Sequence, residues 1–149
     1  MMVKDRHMTY SNIFGISAAG MDVERTRVDV ATLNLANINT VSAPDKTGYR
    51  PLTVSVQPAL ASPNFSERFE SGINMPVANV LPLAESKRLV YEPENPVADT
   101  TGYVAYPRVD QTNEMMTIMS ALRAYEANVA AMNASKSMML KALDIGGNG

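Results

Sequence analysis

Apolar residues in the last third of the chain repeat with the spacing of a coiled coil. Between residues 110 and 144, two positions of a seven-residue repeat are almost entirely apolar, and Lys136 is the single charged exception. Such a repeat predicts a helix that packs against a partner helix. One row consists of Met115, Leu122, Val129 and Leu143, and the other of Ile118, Tyr125, Met132 and Met139.

The charged residues of the same segment do not gather opposite these two rows. An amphipathic surface helix collects its charges on one face, but at about 100° per residue these charges point in several directions around the axis. They are Glu114, Arg123, Glu126, Lys136 and Lys141, interleaved with Ala121, Ala124, Ala127, Ala131 and Ala134. The pattern predicts a helix with neighbours on several sides and no solvent face, as in a subunit of a larger assembly.

A second helix is predicted over residues 12–38, after a flexible N-terminal segment over residues 1–11. Ile16, Val23 and Val30 repeat every seven residues, and Leu33 lies on the companion row. Two terminal helices with matching repeats are expected to pair as a coiled coil and to form one helical domain. The seam is weak, because alanine, threonine, asparagine and methionine fill many of its places. We therefore expect assembly to contribute to its order.

Residues 39–109, between the two helices, have a different character. They contain all nine prolines of the chain, and proline is excluded from helix interiors. Pro44 to Gly48 has the composition of a turn. Short apolar runs over residues 49–56, 73–83, 89–91 and 103–106 favour two to four strands. The expected fold class is mainly α, with long terminal helices and a small, irregular, β-rich middle region.

The composition excludes most kinds of catalytic, metal-binding and nucleic-acid-binding function. A net charge of −2 argues against a nucleic-acid partner, which requires a basic surface. With no cysteine and a single histidine, His7, the sequence offers no disulfide, zinc site or Ser-His-Asp arrangement. It also contains no glycine-rich phosphate loop, no apolar run of about 20 residues and no recognisable cleaved signal peptide. We expect no enzymatic activity, no cofactor and no catalytic or metal-binding residue.

Three runs of residues resemble the axial proteins of the bacterial flagellum, a family of rod and hook subunits and their relatives. The first is Ser11-Asn12-Ile13-Phe14 and Asn34-Leu35-Ala36-Asn37, followed by Thr47-Gly48-Tyr49-Arg50. The second is Leu89-Val90-Tyr91-Glu92-Pro93-Glu94-Asn95-Pro96, with Ala98-Asp99 and Gly102-Tyr103-Val104. The third is Tyr125-Glu126-Ala127-Asn128 with Lys136-Ser137-Met138-Met139-Leu140-Lys141. The Asn-Leu-Ala-Asn run is shared across the axial proteins. The other two, in this order, are similar to basal-body proteins of the proximal rod, and the resemblance extends over nearly the whole chain.

The resemblance implies a structural subunit of the proximal rod. Its terminal helices would polymerise into the hollow drive shaft that transmits torque and encloses the export channel. The implied partners are copies of itself, other proximal and distal rod subunits, a rod-base adaptor protein and the flagellar type III export apparatus, with no nucleic acid and no small-molecule substrate. The implied location is the basal body, where the rod crosses the periplasm, reached without a cleaved signal peptide.

The expected assembly residues are of two kinds. The apolar rows would pair the helices, and polar residues within such a seam would fix its alignment. This gives register roles to Asn34, Asn37, Asn128 and Asn133, although helix-end capping is an equal alternative for the first two. Gly48, Tyr49, Tyr91 and Pro93 complete the set as motif residues. A cytoplasmic coiled-coil adaptor that binds one partner helix is a second possible function, but the scattered charges and the alanine ladder speak against it.

Overall fold

The computed structural model describes residues 4–58, 75–84 and 87–147. Two long helices flank four short strands, as the sequence predicts. The elements are α1 (Lys4–Ala36), β1 (Leu52–Pro58), β2 (Pro76–Pro82), β3 (Lys87–Tyr91), β4 (Tyr103–Pro107) and α2 (Gln111–Gly147). The mainly α fold with a small β-rich middle region is thus confirmed, whereas the start of the run predicted over residues 73–83 lies outside the described residues.

Helix α1 begins earlier and ends earlier than the predicted range of 12–38. It starts at Lys4, so part of the segment expected to be flexible is helical. No glycine or proline occurs between Lys4 and Phe14, and nothing in that stretch therefore stops a helix. At the other end, the amide of Asn37 donates to the carbonyls of both Leu33 and Asn34, and the chain leaves the helix through a tighter turn.

Helix α2 is capped by Asp110. Oδ1 of Asp110 accepts hydrogen bonds from the amides of Thr112 at 3.0 Å and Asn113 at 3.3 Å. The Asp110 carbonyl accepts the first helical bond, from Glu114. A carboxylate is well suited to this position because it also faces the positive end of the helix dipole. The helix then runs to Gly147, slightly beyond the predicted end at residue 144.

The strands form two separate two-stranded sheets, β1 with β2 and β3 with β4. Strands β3 and β4 are antiparallel, from the pair Lys87 and Pro107 at one end to the pair Tyr91 and Tyr103 at the other. On β4, Ala105 also exchanges two backbone hydrogen bonds with Ser42, which attaches the segment after α1 to this hairpin. Prolines lie at both ends of β2, as expected for an edge strand.

The chain divides into two compact units, each with a small core. One contains the described residues of Met1–Arg25, Val56–Ala78 and Ala121–Gly149, and the other those of Thr26–Ser55 and Asn79–Ser120. In the first unit the buried residues include Ser17, Val23, Ala121 and Ser135; in the second they include Val30, Ala31, Asn34, Val104 and Ala105. Most of these side chains are small, so the buried residues named here contribute little apolar surface.

Candidate assembly site

The side chain of Asn34 is the centre of a buried polar cluster in the second unit. It is only 1% exposed. Its Nδ2 donates to the Leu52 carbonyl and to Oε1 of Glu114, both at 2.9 Å. Its Oδ1 accepts from the Tyr49 hydroxyl and the Leu52 amide, both at 2.8 Å. These four bonds use both hydrogens and both lone pairs of the amide, so the burial of this polar group is fully compensated.

The four bonds connect three segments that are distant in sequence. Asn34 lies in the last turns of α1, Leu52 begins β1, and Glu114 lies in the first turn of α2. Burial and the nearby Glu114 carboxylate, in that order, raise the pKa of the Tyr49 phenol. Tyr49 is therefore neutral at physiological pH and acts as a hydrogen-bond donor. The Asn34 cluster (Asn34, Tyr49, Leu52 and Glu114) holds these elements in one alignment.

Asn37 and Gly48, from the same two sequence motifs, have local roles. Nδ2 of Asn37 donates to the Leu33 carbonyl at 2.9 Å, and its Oδ1 accepts from the Thr40 hydroxyl at 3.1 Å. These bonds cap the end of α1. Gly48 packs so closely against Ser42 that a Cβ atom at position 48 would overlap the Ser42 side chain.

In the first unit, Asn128 packs directly against the backbone of α1. A Cβ atom built on Gly20 would lie 2.9 Å from Nδ2 and 3.0 Å from Oδ1 of Asn128, closer than a carbon atom can approach without displacement. Gly20 therefore allows the two helices of this unit to approach at that point, a role that the heptad analysis missed. The sequence does carry a signal for this role: Gly20 is the only glycine between Ile16 and Ala36, although glycine is unfavourable inside a helix. Asn133 is exposed.

The second motif forms the connection between β3 and β4. Tyr91 and Tyr103 contact each other edge to face, with ring centroids 5.3 Å apart. Gly102 has a φ of +80°, and a Cβ there would lie 2.8 Å from the Tyr91 ring and 3.2 Å from Cβ of Pro93. The motif residues Tyr91 and Pro93 are thus brought together over Gly102, which belongs to the same motif.

The carboxylates of this connection hold its shape. The Glu92 carboxylate accepts from the side-chain Nδ2 of Asn95 at 2.9 Å and from the hydroxyl of Tyr106 at 3.0 Å. Oδ1 of Asp99 accepts from the Tyr103 amide and from both the amide and the hydroxyl of Thr101. These bonds lower the pKa of Asp99, the Tyr103 amide contributing most. The loop is therefore fixed by its own side chains.

The predicted apolar rows differ in burial. Val23 and Val30 are buried, whereas Ile16 and Leu33 are exposed. On α2, the half-buried members are Ile118, Val129, Met132 and Met139, and the exposed members are Met115, Leu122, Tyr125 and Leu143. The buried residues Ala121 and Ser135 lie one position before the predicted row of Leu122 and Val129. Much of the apolar surface of α2 is consequently available to other molecules.

The described part of the chain lacks the usual features of a metal or membrane protein. No group of three or more His, Asp or Glu side chains in residues 4–58, 75–84 and 87–147 is placed to hold a metal ion. Within the same residues, neither helix is apolar over a length sufficient to cross a bilayer.

Comparison with known proteins identifies the family. The chain is 42% identical over 139 residues to the flagellar basal-body rod protein FlgC of Salmonella typhimurium, which covers 93% of this chain and 99% of the Salmonella protein. It is 37% identical to FlgC of Bacillus subtilis with the same coverage of both chains. The chain belongs to the FlgC family. Residues 100–145 also match the model of the flagellar basal body rod FlgEFG protein C-terminal region.

Membership of this family establishes the general function. The chain is a structural subunit of the flagellar basal-body rod, not an enzyme, and it serves motility by assembling with itself and other rod proteins. The cytoplasmic adaptor interpretation is therefore not favoured. The resemblance in the sequence motifs is confirmed over almost the full length of the chain.

Proposed function

We propose that this rod subunit belongs to the proximal segment of the rod and that its terminal helices, paired as a coiled coil, form the hollow shaft. The shaft transmits torque and encloses the export channel, and its subunits perform no catalytic step. The observation that carries this proposal is the amount of apolar surface that α2 leaves open: Leu122 is 49% exposed and Leu143 is 59% exposed. A surface of this kind requires neighbouring chains.

Two contacts support antiparallel pairing of the helices. Asn34 bonds to Glu114 in one unit, and Gly20 packs against Asn128 in the other. Gly20 precedes Asn34 by two heptads, and Asn128 follows Glu114 by two heptads. Each contact lies within its own unit and joins a residue of α1 to a residue of α2, as an intramolecular coiled coil requires. In that pairing, Asn34 and Asn128 are the residues that fix the register.

The exposed apolar positions of α2 are the proposed contacts between subunits. A row that includes Met115, Leu122 and Leu143 lies beside the row that faces α1, so it can pack against a second helix while the intramolecular pair stays intact. Methionine adapts to irregular neighbours because it is unbranched and flexible. This suits a helix that must meet several different rod proteins, including a rod-base adaptor protein below the proximal rod.

The route to the rod is part of the same proposal. We propose that the flagellar type III apparatus exports the chain with its N-terminal segment intact and that the chain assembles where the rod crosses the periplasm. The exposed apolar side chains of α2 agree with a chain that gains stability on assembly, because partners that bind only the folded state stabilise it.

Electron cryo-microscopy of extracted basal bodies tests the proposal. We expect density for this chain in the proximal rod, with α1 and α2 paired and lining the channel. Density in the distal rod would contradict the proximal assignment, and unpaired helices would contradict the coiled coil.

A further inference from the structure

The hairpin formed by β3 and β4 has an exposed apolar face. Its register places Leu89 opposite Ala105 and Tyr91 opposite Tyr103, and residues paired in this way lie on the same face of a sheet. Leu89 is 58% exposed and Tyr91 is 62% exposed, and Tyr103 is exposed beside them. Exposed aromatic side chains on a rigid element are typical of protein interfaces.

The charges of this hairpin are separated by sign. The loop end carries Glu92, Glu94 and Asp99, whereas Lys87, Arg88 and Arg108 lie at the open end; no lysine or arginine occurs between Leu89 and Pro107. The five strand pairs place the two ends about 13 Å apart, at about 3.3 Å per residue. Side chains at the two ends of one hairpin are therefore too far apart to form ion pairs with each other.

Most of these charged groups already have partners within the chain. Glu92 and Asp99 accept hydrogen bonds from the loop, the Arg88 guanidinium lies 5.6 Å from the centre of the Tyr106 ring, and Lys87 donates to the carbonyl of Lys46. Glu94 and Arg108 differ from them. Both are exposed, and neither side chain has a hydrogen-bond or ion-pair partner among the residues that the structure describes.

We propose that the β3–β4 hairpin is a docking surface between successive copies of this chain, with Glu94 of one copy paired with Arg108 of the next. In this arrangement the face formed by Leu89, Tyr91 and Tyr103 is covered by the neighbouring copy. The hydrogen bonds of Glu92 and Asp99 fix the loop before docking, so little conformational entropy is lost when the copies meet.

The partner on this surface is a second copy of the chain, because the hairpin of that copy carries the charge that complements Glu94 or Arg108 of the first. Contact between two different ends of identical molecules is head to tail, and such contacts propagate into helical arrays. The charge pair selects the partner and its orientation, and the apolar face contributes the surface that is buried on docking. This inference rests on the proposed function, which brings copies of the chain together in the rod.

Cysteine cross-linking tests the contact cleanly because the chain has no native cysteine. Cells would carry the E94C/R108C variant in place of the native chain, and their basal bodies would be purified, oxidised and analysed without reducing agent. We expect dimers and higher multiples of the 16.2 kDa chain. The matched control, D29C/R108C, moves one cysteine to an exposed position on α1 and should give no such ladder.

The outcomes separate this inference from the proposed function. Basal bodies that contain the E94C/R108C chain but give no ladder would overturn the docking inference. A cross-link only to a different rod protein would overturn it as well. Both results would leave the rod function intact. Absence of the native chain from the proximal rod would instead overturn the proposed function.

A charge exchange provides a second measurement of the same contact. E94R and R108E should each reduce incorporation into basal bodies about two- to fivefold, the range expected for loss of one exposed charge pair, and the E94R/R108E double variant should restore it. Additive loss in the double variant would overturn the pairing.

Discussion

Asn34 and Glu114 lie 80 residues apart in the sequence, and a hydrogen bond of 2.9 Å joins their side chains. The bond connects the end of α1 to the start of α2. Since the same Asn34 amide also binds Tyr49 and the backbone of Leu52, one residue sets the alignment of three segments. A buried polar residue of this kind favours one register, because any shift leaves its hydrogen bonds unmade.

Replacing Asn34 with alanine should destabilise the protein strongly. The N34A variant leaves the Tyr49 hydroxyl and both backbone groups of Leu52 without their partner in a buried site. We expect a loss of about 2–3 kcal/mol in the free energy of unfolding, measured by urea denaturation.

The control is N133A, on an exposed asparagine of α2, which should change stability by less than about 0.5 kcal/mol. Equal effects of the two substitutions would show that Asn34 does not hold the three segments together.

Tyr49 gives the cluster a dependence on alkaline pH. Burial and then the Glu114 carboxylate raise the pKa of the phenol above its usual 10.0. The stabilisation from the neutral phenol is fully present below pH 10 and is lost as the pH rises through the folded-state pKa. The Y49F variant should be about 1 kcal/mol less stable than the native chain at pH 7, through loss of the bond to Asn34.

This difference between Y49F and the native chain should shrink above pH 10, where the native phenol ionises. Denaturation curves at pH 7, 9 and 11 measure it. A difference that stays constant across this range would mean that Tyr49 does not titrate within the cluster.

The close approach at Gly20 predicts an unusual response to alanine. Alanine normally stabilises a helix relative to glycine by about 1 kcal/mol. In the G20A variant, however, the new methyl group collides with the Asn128 amide, and we expect a lower melting temperature than that of the native chain. The double variant G20A/N128A removes the obstacle and should recover at least the stability of N128A.

The control for this experiment is G146A, because no atom lies within 4 Å of a Cβ atom at that position of α2. It should be neutral or slightly stabilising. A G20A variant that behaves like G146A would contradict tight packing between Gly20 and Asn128.

The sequence predicted the elements of the fold better than the details of their packing. Heptad rows, the distribution of prolines and short apolar runs indicated two helices and two to four strands, because these signals are local. The heptad rows did not reveal that Ala121, directly before Leu122, and Ser135, directly before Lys136, are buried residues of α2. Small residues give a weak apolar signal, although they allow the closest approach of two helices.

The Asn34 cluster also contains contacts that the sequence alone could not predict. The motifs Asn-Leu-Ala-Asn and Thr-Gly-Tyr-Arg were recognisable, and Asn34 was expected to fix a register. Its bonds to Tyr49, Leu52 and Glu114 depend on tertiary structure and could not be read from spacing. In the same way, the hydrogen bonds from the amides of Thr112 and Asn113 to the Asp110 carboxylate, which cap α2, could not be predicted from composition alone.

A charge on the exposed apolar row of α2 should prevent assembly without unfolding the subunit. Leu122 is 49% exposed in the single chain, so L122D places its carboxylate where water can still solvate it. Between packed subunits, the same carboxylate would be buried without a partner, at a cost of several kcal/mol. V129D should have the same effect on assembly with a larger effect on stability, because Val129 is half-buried.

We expect L122D cells to be non-motile and to lack rods, whereas the purified L122D subunit keeps the circular dichroism spectrum of the native chain. The conservative variant L122M keeps the surface apolar and should remain motile. Motile L122D cells would show that this row does not lie between subunits.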